Sequence, residues 1–336
     1  VNATADFARL GYNISDATNL AEAALVYKNV GDGISDIGEA SESIISTVKA
    51  FEEFGVSASN AMSIVDKFNK VGNEFAISSE GIGTALQKSA SSLAAAGNSL
   101  DESIALITGM NAVVQNPEVV GTALKTVSMY LRAAKAEAEA AGEETDGMAE
   151  SVSKLREKLL ALTKNRVDIM IDENTFKSTI QIMRELSEVW EELPDIDTAA
   201  ILELIGGKRN ATAVTSLLTN FQDVEKALSA SKHSYGSALA ENEKVLDSID
   251  GKIAIFHSKF EELSSNIINS GLVKFVVDIG NGILSAANGL DRVHLLLPTI
   301  AASVAAIYKI VQTKRGINSL FSAFSVKDLY DLYDPI

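Results

Sequence analysis

The chain contains no cysteine, which removes disulfides, thiol catalysis and Cys-based zinc sites together. Proline is scarce, 4 in 336 residues, and aromatics make up only 6%; both favour helix over a β-sandwich. The only histidines are His233, His257 and His294. They are far apart, none has a second ligand at metal spacing, and no H-E-x-x-H is present. Positive charge is also in deficit: the formal net charge is -16 and no basic stripe is visible. That argues against specific nucleic-acid binding; acidity of this size gives solubility and self-repulsion. No charged-then-apolar export signal follows Val1, and the non-Met start suggests a segment excised from something longer. Without such a signal, the Asn-x-Ser/Thr triplets at Asn2, Asn13 and Asn210 read as chance.

What is present is a helical palette with a hydrophobic fraction of 46%, enough for a real core in two domains or one elongated array. The first 30 residues predict one or two short helices, with Ala17, Leu20, Ala24 and Leu25 on one face. Ser41 to Phe54 predicts the next, closed by Gly55 in the left-handed region, and Asn60 to Val71 another, ended by Gly72. Ala76 to Ala96 follows, capped by Ser78 or Ser79 and stopped at Gly97-Asn98. Ser99 and Glu102 then fit a capping box, opening a helix with Ile104, Ile107 and Met110 at helical spacing. Asn116-Pro117-Glu118 is a second start signal: a cap, a proline at the first helical position and an acid at the positive dipole end.

Residues 133–147 (AAKAEAEAAGEETDG) read as a solvated helix running into an acidic loop, the best boundary in the chain. A helix over 149–162 follows. Val167 to Ile171 alternates around Asp168 before a turn-like Asp172-Glu173-Asn174, which leaves room for one short β-hairpin. Phe176 to Leu193 is amphipathic, with Ile180, Met183, Leu186, Val189, Trp190 and Leu193 on one face. Asp197 is the expected cap of a short helix ending at Gly206-Gly207, and Lys208 to Ser229 reads as one more.

The strongest periodicity is a heptad seam: Leu246, Ile249, Ile253, Phe256, Phe260, Leu263 and Ile267 are spaced 3, 4, 3, 4, 3, 4. It extends back to Leu239, with Lys252 and Lys259 flanking it and His257 beside it as a solvated neighbour. A helix of about 30 residues would be ~45 Å long, and such a seam needs a partner helix from this chain or a second copy. Residues 272–290 and 295–311 are apolar. The latter has two readings, a membrane-inserting segment or a buried core helix, since a span needs about 20 apolar residues.

No catalytic constellation survives inspection. Gly206-Gly207-Lys208-Arg209 fails as a phosphate loop, because Leu202 stands where the first glycine belongs and Asn210 follows Arg209 where Ser or Thr should follow the lysine. Gly81-Ile82-Gly83 lacks a third glycine and a preceding strand. Glu52-Glu53, Glu191-Glu192 and Glu261-Glu262 are helical neighbours pointing about 100 degrees apart, so they do not converge as acid and base. Asp168, Asp172 and Asn174 miss the central glycine and final glutamate of a calcium loop. No catalytic, metal or cofactor residue is expected.

Several passages together resemble the core region of tail tape measure proteins from long-tailed phages and prophages of Gram-positive bacteria. They are residues 21–51, 65–109, VVQNPEVVGTALKT (113–126), 167–190, ILELIGGKRNATAVTSLL (201–218) and the seam opening ENEKVLDSIDGKI (241–253). Their order and spacing cover roughly residues 5 to 300. The resemblance implies a non-enzymatic virion protein in the lumen of the tail tube. Such a protein sets tail length during assembly in the host cytoplasm and leaves before DNA passes, its hydrophobic segments entering the host membrane. Implied partners are the tail tube protein, tail assembly chaperones and further copies through the seam. A continuous helix of this length would span about 500 Å, but a fragment cannot itself encode the ruler length.

The resulting expectation is all-α: an elongated array of helical hairpins, a long coiled-coil-like helix, a hydrophobic C-terminal helical segment and at most one short β-hairpin. The divisions are a core (1–135), a second helical subdomain (136–235), the heptad helix (236–270), the hydrophobic segment (271–315) and a tail of unplaced role (316–336). The rival from another class is a membrane-active or secreted helical effector whose apolar C-terminal segment inserts in a bilayer.

Overall fold

Small polar residues start the helices. Asn13, Asp36, Ser78, Ser99, Asn116, Ser151 and Ser178 each turn a side-chain oxygen onto a backbone N–H of the first turn, satisfying donors that a helix leaves open. The computed structural model describes residues 2–140, 142 and 145–248. Among these the fold is all-α. Its helices are α1 (Asn2–Arg9), α2 (Ile14–Val30), α3 (Ile37–Ala50), α4 (Met62–Glu74), α5 (Ser79–Ala95), α6 (Leu100–Val114) and α7 (Pro117–Tyr130). They continue with α8 (Lys135–Ala140), α9 (Val152–Leu162), α10 (Thr179–Val189), α11 (Asp195–Gly206), α12 (Ala211–Thr219), α13 (Phe221–Lys232) and α14 (Ser237–Asp247).

The anticipated β element is present in minimal form. Met170 and Phe176 make an isolated antiparallel bridge, flanked by Ile171 N–H to Thr175 O at 2.8 Å and Lys177 N–H to Ile169 O at 2.9 Å. The Ser99 capping box forms as expected, with Glu102 accepting from Ser99 N–H at 2.8 Å and Ser99 Oγ accepting from Glu102 N–H at 3.3 Å. Asn116 caps α7 with Pro117 as its first residue.

Helix α6 is the centre. Every residue from Ser103 to Asn111 is buried, so the helix is covered on all sides rather than along one stripe. Its buried hydroxyls are satisfied one turn back, Ser103 Oγ donating to Ser99 O and Thr108 Oγ1 to Ile104 O, both at 2.8 Å. Helices α4, α5, α7, α12 and α13 surround it, and α5 also lies closely along α7. Small residues permit these approaches. A Cβ on Gly109 would sit 2.3 Å from Val224 Cγ2, and one on Gly121 would sit 2.5 Å from the Ala85 carbonyl oxygen. The main buried cluster runs from Phe7 to Ala238 and draws on residues both before and after the acidic stretch at 136–147.

Several local expectations are corrected. Leu25 is 51% exposed; the buried face of α2 is Ala17, Leu20, Ala23, Ala24, Val26 and Tyr27. Helix α3 starts at Ile37 behind Asp36, four residues before Ser41, and a separate 3-10 turn at Glu52–Phe54 precedes left-handed Gly55. Gly72 does not end α4 but lies inside it, where a Cβ would sit 2.7 Å from Ser79 Oγ. Pro194, not Asp197, stands at the cap position of α11. The span 208–229 is a 3-10 turn and two helices broken at Asn220, whose Nδ2 donates to Ser216 O at 2.9 Å.

Candidate functional site

The buried carboxylate of Asp66 sets the geometry where the helical block meets its last described helix. Asp66 is 4% exposed on α4, and a buried charge requires partners. It finds them 170 residues downstream: Oδ2 accepts from Gly236 N–H at 3.0 Å and Oδ1 from Ala238 N–H at 2.9 Å. The Ser237 hydroxyl donates to the Asp66 carbonyl at 2.9 Å. Gly236, at φ +79°, has no side chain with which to cap α14. The α4 carboxylate takes that role, with its negative charge at the positive end of the helix dipole.

Neighbouring residues reinforce this junction. Lys67 pairs with Asp101 at 2.5 Å, and the same carboxylate accepts from Ser231 Oγ at 2.5 Å. Further along α14, Asn29 Nδ2 donates to Asn242 Oδ1 at 3.0 Å. Helices α2, α4 and α6 are thereby tied to residues 231–242, from which the chain leads on to the heptad pattern. Of the seam residues, Leu246 is half-buried and Leu239, its proposed extension, is 44% exposed. Ile249, Ile253, Phe256, Phe260, Leu263 and Ile267 lie outside the described residues.

A second polar cluster is structural. Arg132 Nη2 donates to Ala96 O at 2.7 Å and Lys177 O at 2.9 Å, and its guanidinium lies 4.4 Å from the Phe176 ring centre. Burial pushes its pKa down to about 10, so it stays charged at neutral pH. Asn98 donates to Leu93 O at 2.8 Å and accepts from Ile180 N–H at 3.0 Å. Together they join the end of α5 to the start of α10.

The residues weighed for chemistry take structural positions. Asp168 grips Arg156, with Oδ2 2.6 Å from Nη2 and Oδ1 2.9 Å from Nε, and also accepts from Met170 N–H at 3.1 Å. Asp172 accepts from Asn174 N–H at 2.8 Å as a local turn. Glu192 pairs with Arg166, while Glu52 and Glu53 are exposed on their 3-10 turn. Lys208 lies 3.6 Å from Glu203, in a turn where a Cβ on Gly207 would meet the Tyr130 hydroxyl at 2.9 Å. Gly83 is occupied in the same way, its missing Cβ 2.4 Å from Ser43 Oγ. His233 Nδ1 is 2.8 Å from Ser229 O at the end of α13; His257, His294 and Glu261-Glu262 lie outside the described residues. Among the described residues no group of three His, Asp or Glu could hold a metal. A shallow depression of about 350 Å³ is lined by Val113, Ala211, Thr212, Thr215, Ser216 and Thr219 and carries no charge.

The Asp168 grip gives a pH prediction. Burial acts to raise its pKa, but the Arg156 hydrogen bonds, the Met170 N–H and the Arg156 charge outweigh it, leaving Asp168 below its ordinary 3.8. A depressed acid stabilises above its unfolded pKa and loses that contribution as pH falls through the folded value. Asp168→Asn is therefore less stable than wild type at pH ~6, and the gap closes toward pH ~2.5. Thermal melts at both pH values check this; a pH-independent gap contradicts it.

Among the described residues no helix is long and apolar enough to cross a membrane; residues 272–311 lie outside them. No solved structure matches the chain. Residues 1–207 match the family model described as phage-related minor tail protein.

Proposed function

Because the chain belongs to the phage-related minor tail protein family, we propose that it is a segment of a tape measure protein. Membership makes it a phage tail structural component associated with the virion. In the finer reading, the parent protein occupies the tail tube lumen, sets tail length and is ejected during DNA injection. The observation that carries the proposal is the family match over residues 1–207. Partners in this reading are the tail tube protein, tail assembly chaperones and a second copy along the Leu246-to-Ile267 seam. The division into a core (1–135), a second helical subdomain (136–235), the heptad helix (236–270), a hydrophobic segment (271–315) and a tail (316–336) follows the same reading, as do the Gram-positive source and a membrane role for residues 272–311.

The test is co-expression of the full chain, and of a chain lacking residues 272–311, with tail tube subunits. Both are expected to copurify with the tube subunits as helical oligomers. Loss of tube capture on deletion, together with vesicle binding by the full chain alone, would favour a membrane-active effector instead. Clearing of peptidoglycan in a zymogram would overturn the non-enzymatic assignment.

A further inference from the structure

We infer that Asp66 is a latch: α14 is a detachable helix, held to the block by a cap supplied from α4, and it leaves while α1 to α13 stay folded. The clasp is a property of the fold and holds whether or not the chain measures tails.

Three observations carry it. First, α14 has little apolar anchorage. Its only buried side chain is Ala238, whereas the preceding α13 buries Phe221, Val224, Ala227, Leu228, Ala230 and Ser231. With so little hydrophobic area at stake, directed hydrogen bonds decide whether α14 stays. Second, those bonds converge on one side chain. Two N–H groups at the helix start, Gly236 and Ala238, go to the Asp66 carboxylate, and bonds to an ionised acceptor are the strong kind. Two neutral bonds add to these, Ser237 Oγ to the Asp66 carbonyl and Asn29 Nδ2 to Asn242 Oδ1. Third, the two sides of the clasp differ in support. Asp66 stands on a helix whose Ile64, Val65, Phe68 and Val71 are all buried, so its position survives the departure of α14. On the other side, Gly236 sits at φ +79° beside Tyr235, which is 99% exposed; a glycine next to an unpacked residue is where a hinge absorbs backbone rotation. Release then exposes a carboxylate and a helix start to water, and both hydrate well. Local opening of this kind belongs to the low-stability end of a fold.

The experiment is hydrogen exchange of the full chain, read by mass spectrometry on peptides from α14 and from α5 to α7. Asp66→Asn keeps the shape but replaces one acceptor oxygen with an amide that faces an N–H. Exchange in residues 236–247 is expected to rise about tenfold or more, with α5 to α7 unchanged. Asn29→Ala, which leaves Asp66 intact, is expected to give a smaller rise confined to the same peptides. The inference is overturned if α14 exchange in Asp66→Asn stays at the wild-type rate. It is equally overturned if α5 to α7 accelerate in step with α14, since Asp66 would then serve general stability. Failure of Asp66→Asn to fold overturns it on the same ground, because loss of a latch frees α14 and leaves α1 to α13 folded.

Discussion

Phe68→Ala is expected to destabilise the helical block by about 3–5 kcal/mol and to lower its melting midpoint by roughly 10 °C. Phe68 is fully buried on α4 and meets Tyr27 of α2 edge to face, with ring centres 5.5 Å apart and planes at 66°. Truncation removes the transfer energy of the ring and leaves a void. The depth of the loss depends on whether neighbours can fill that void. Tyr27 is the obvious candidate, but its hydroxyl donates to Ser79 O at 2.8 Å, and Ser79 Oγ in turn donates to Phe68 O at 3.1 Å. Burial holds the Tyr27 phenol far above its ordinary ionisation range, so it remains a donor that must be satisfied. Moving the ring inward would break a buried hydrogen bond, and staying put leaves the cavity open. Denaturant melts followed by circular dichroism check the value; a loss under about 1 kcal/mol would show that the site collapses freely.

Gly121→Val is expected to destabilise the block by about 3 kcal/mol through overpacking. At an open helix position, Gly to Ala gains about 1 kcal/mol from propensity. Here the sign reverses even for alanine. The new Cβ would stand 2.5 Å from the Ala85 carbonyl oxygen, 3.0 Å from Ala85 Cα and 2.9 Å from Lys88 Cβ. The first two are backbone atoms, so relief requires α5 and α7 to separate along a long line of contact. A melt showing Gly121→Ala more stable than wild type would contradict this account of the close approach.

Local signals in the sequence were legible, and distant ones were not. Ser99, Glu102, Asn116 and Pro117 act within one helical turn, so their order along the chain reveals the geometry. The inward face of α10 follows from apolar spacing for the same reason, whereas the spacing of Ile104, Ile107 and Met110 marks one stripe of α6, a helix buried all round. Gly72 was misleading because a glycine can mark either a stop or a close contact, and only the presence of Ser79 beside it distinguishes them. The break at Asn220 carries neither glycine nor proline; it is held by an asparagine side chain reaching back one turn. Leu25 is exposed although apolar, since the neighbouring Ala23, Ala24, Val26 and Tyr27 already fill the buried side of α2. The Asp66 junction was invisible for a different reason. A cap supplied from 170 residues away leaves no trace in the text around Gly236.

The complete enclosure of α6 has a consequence for synthesis. Its cover on one side is α13, where Val224 closes over Gly109, so more than a hundred residues must emerge between the two. At about 5–20 residues per second this delay lasts on the order of 10 s. During that interval α4, α5 and α7 are already available to cover α6, and the side at Gly109 lacks α13. The side of α6 at Gly109 therefore stays open to water until α13 is made, and slower translation between Val114 and Phe221 lengthens that interval.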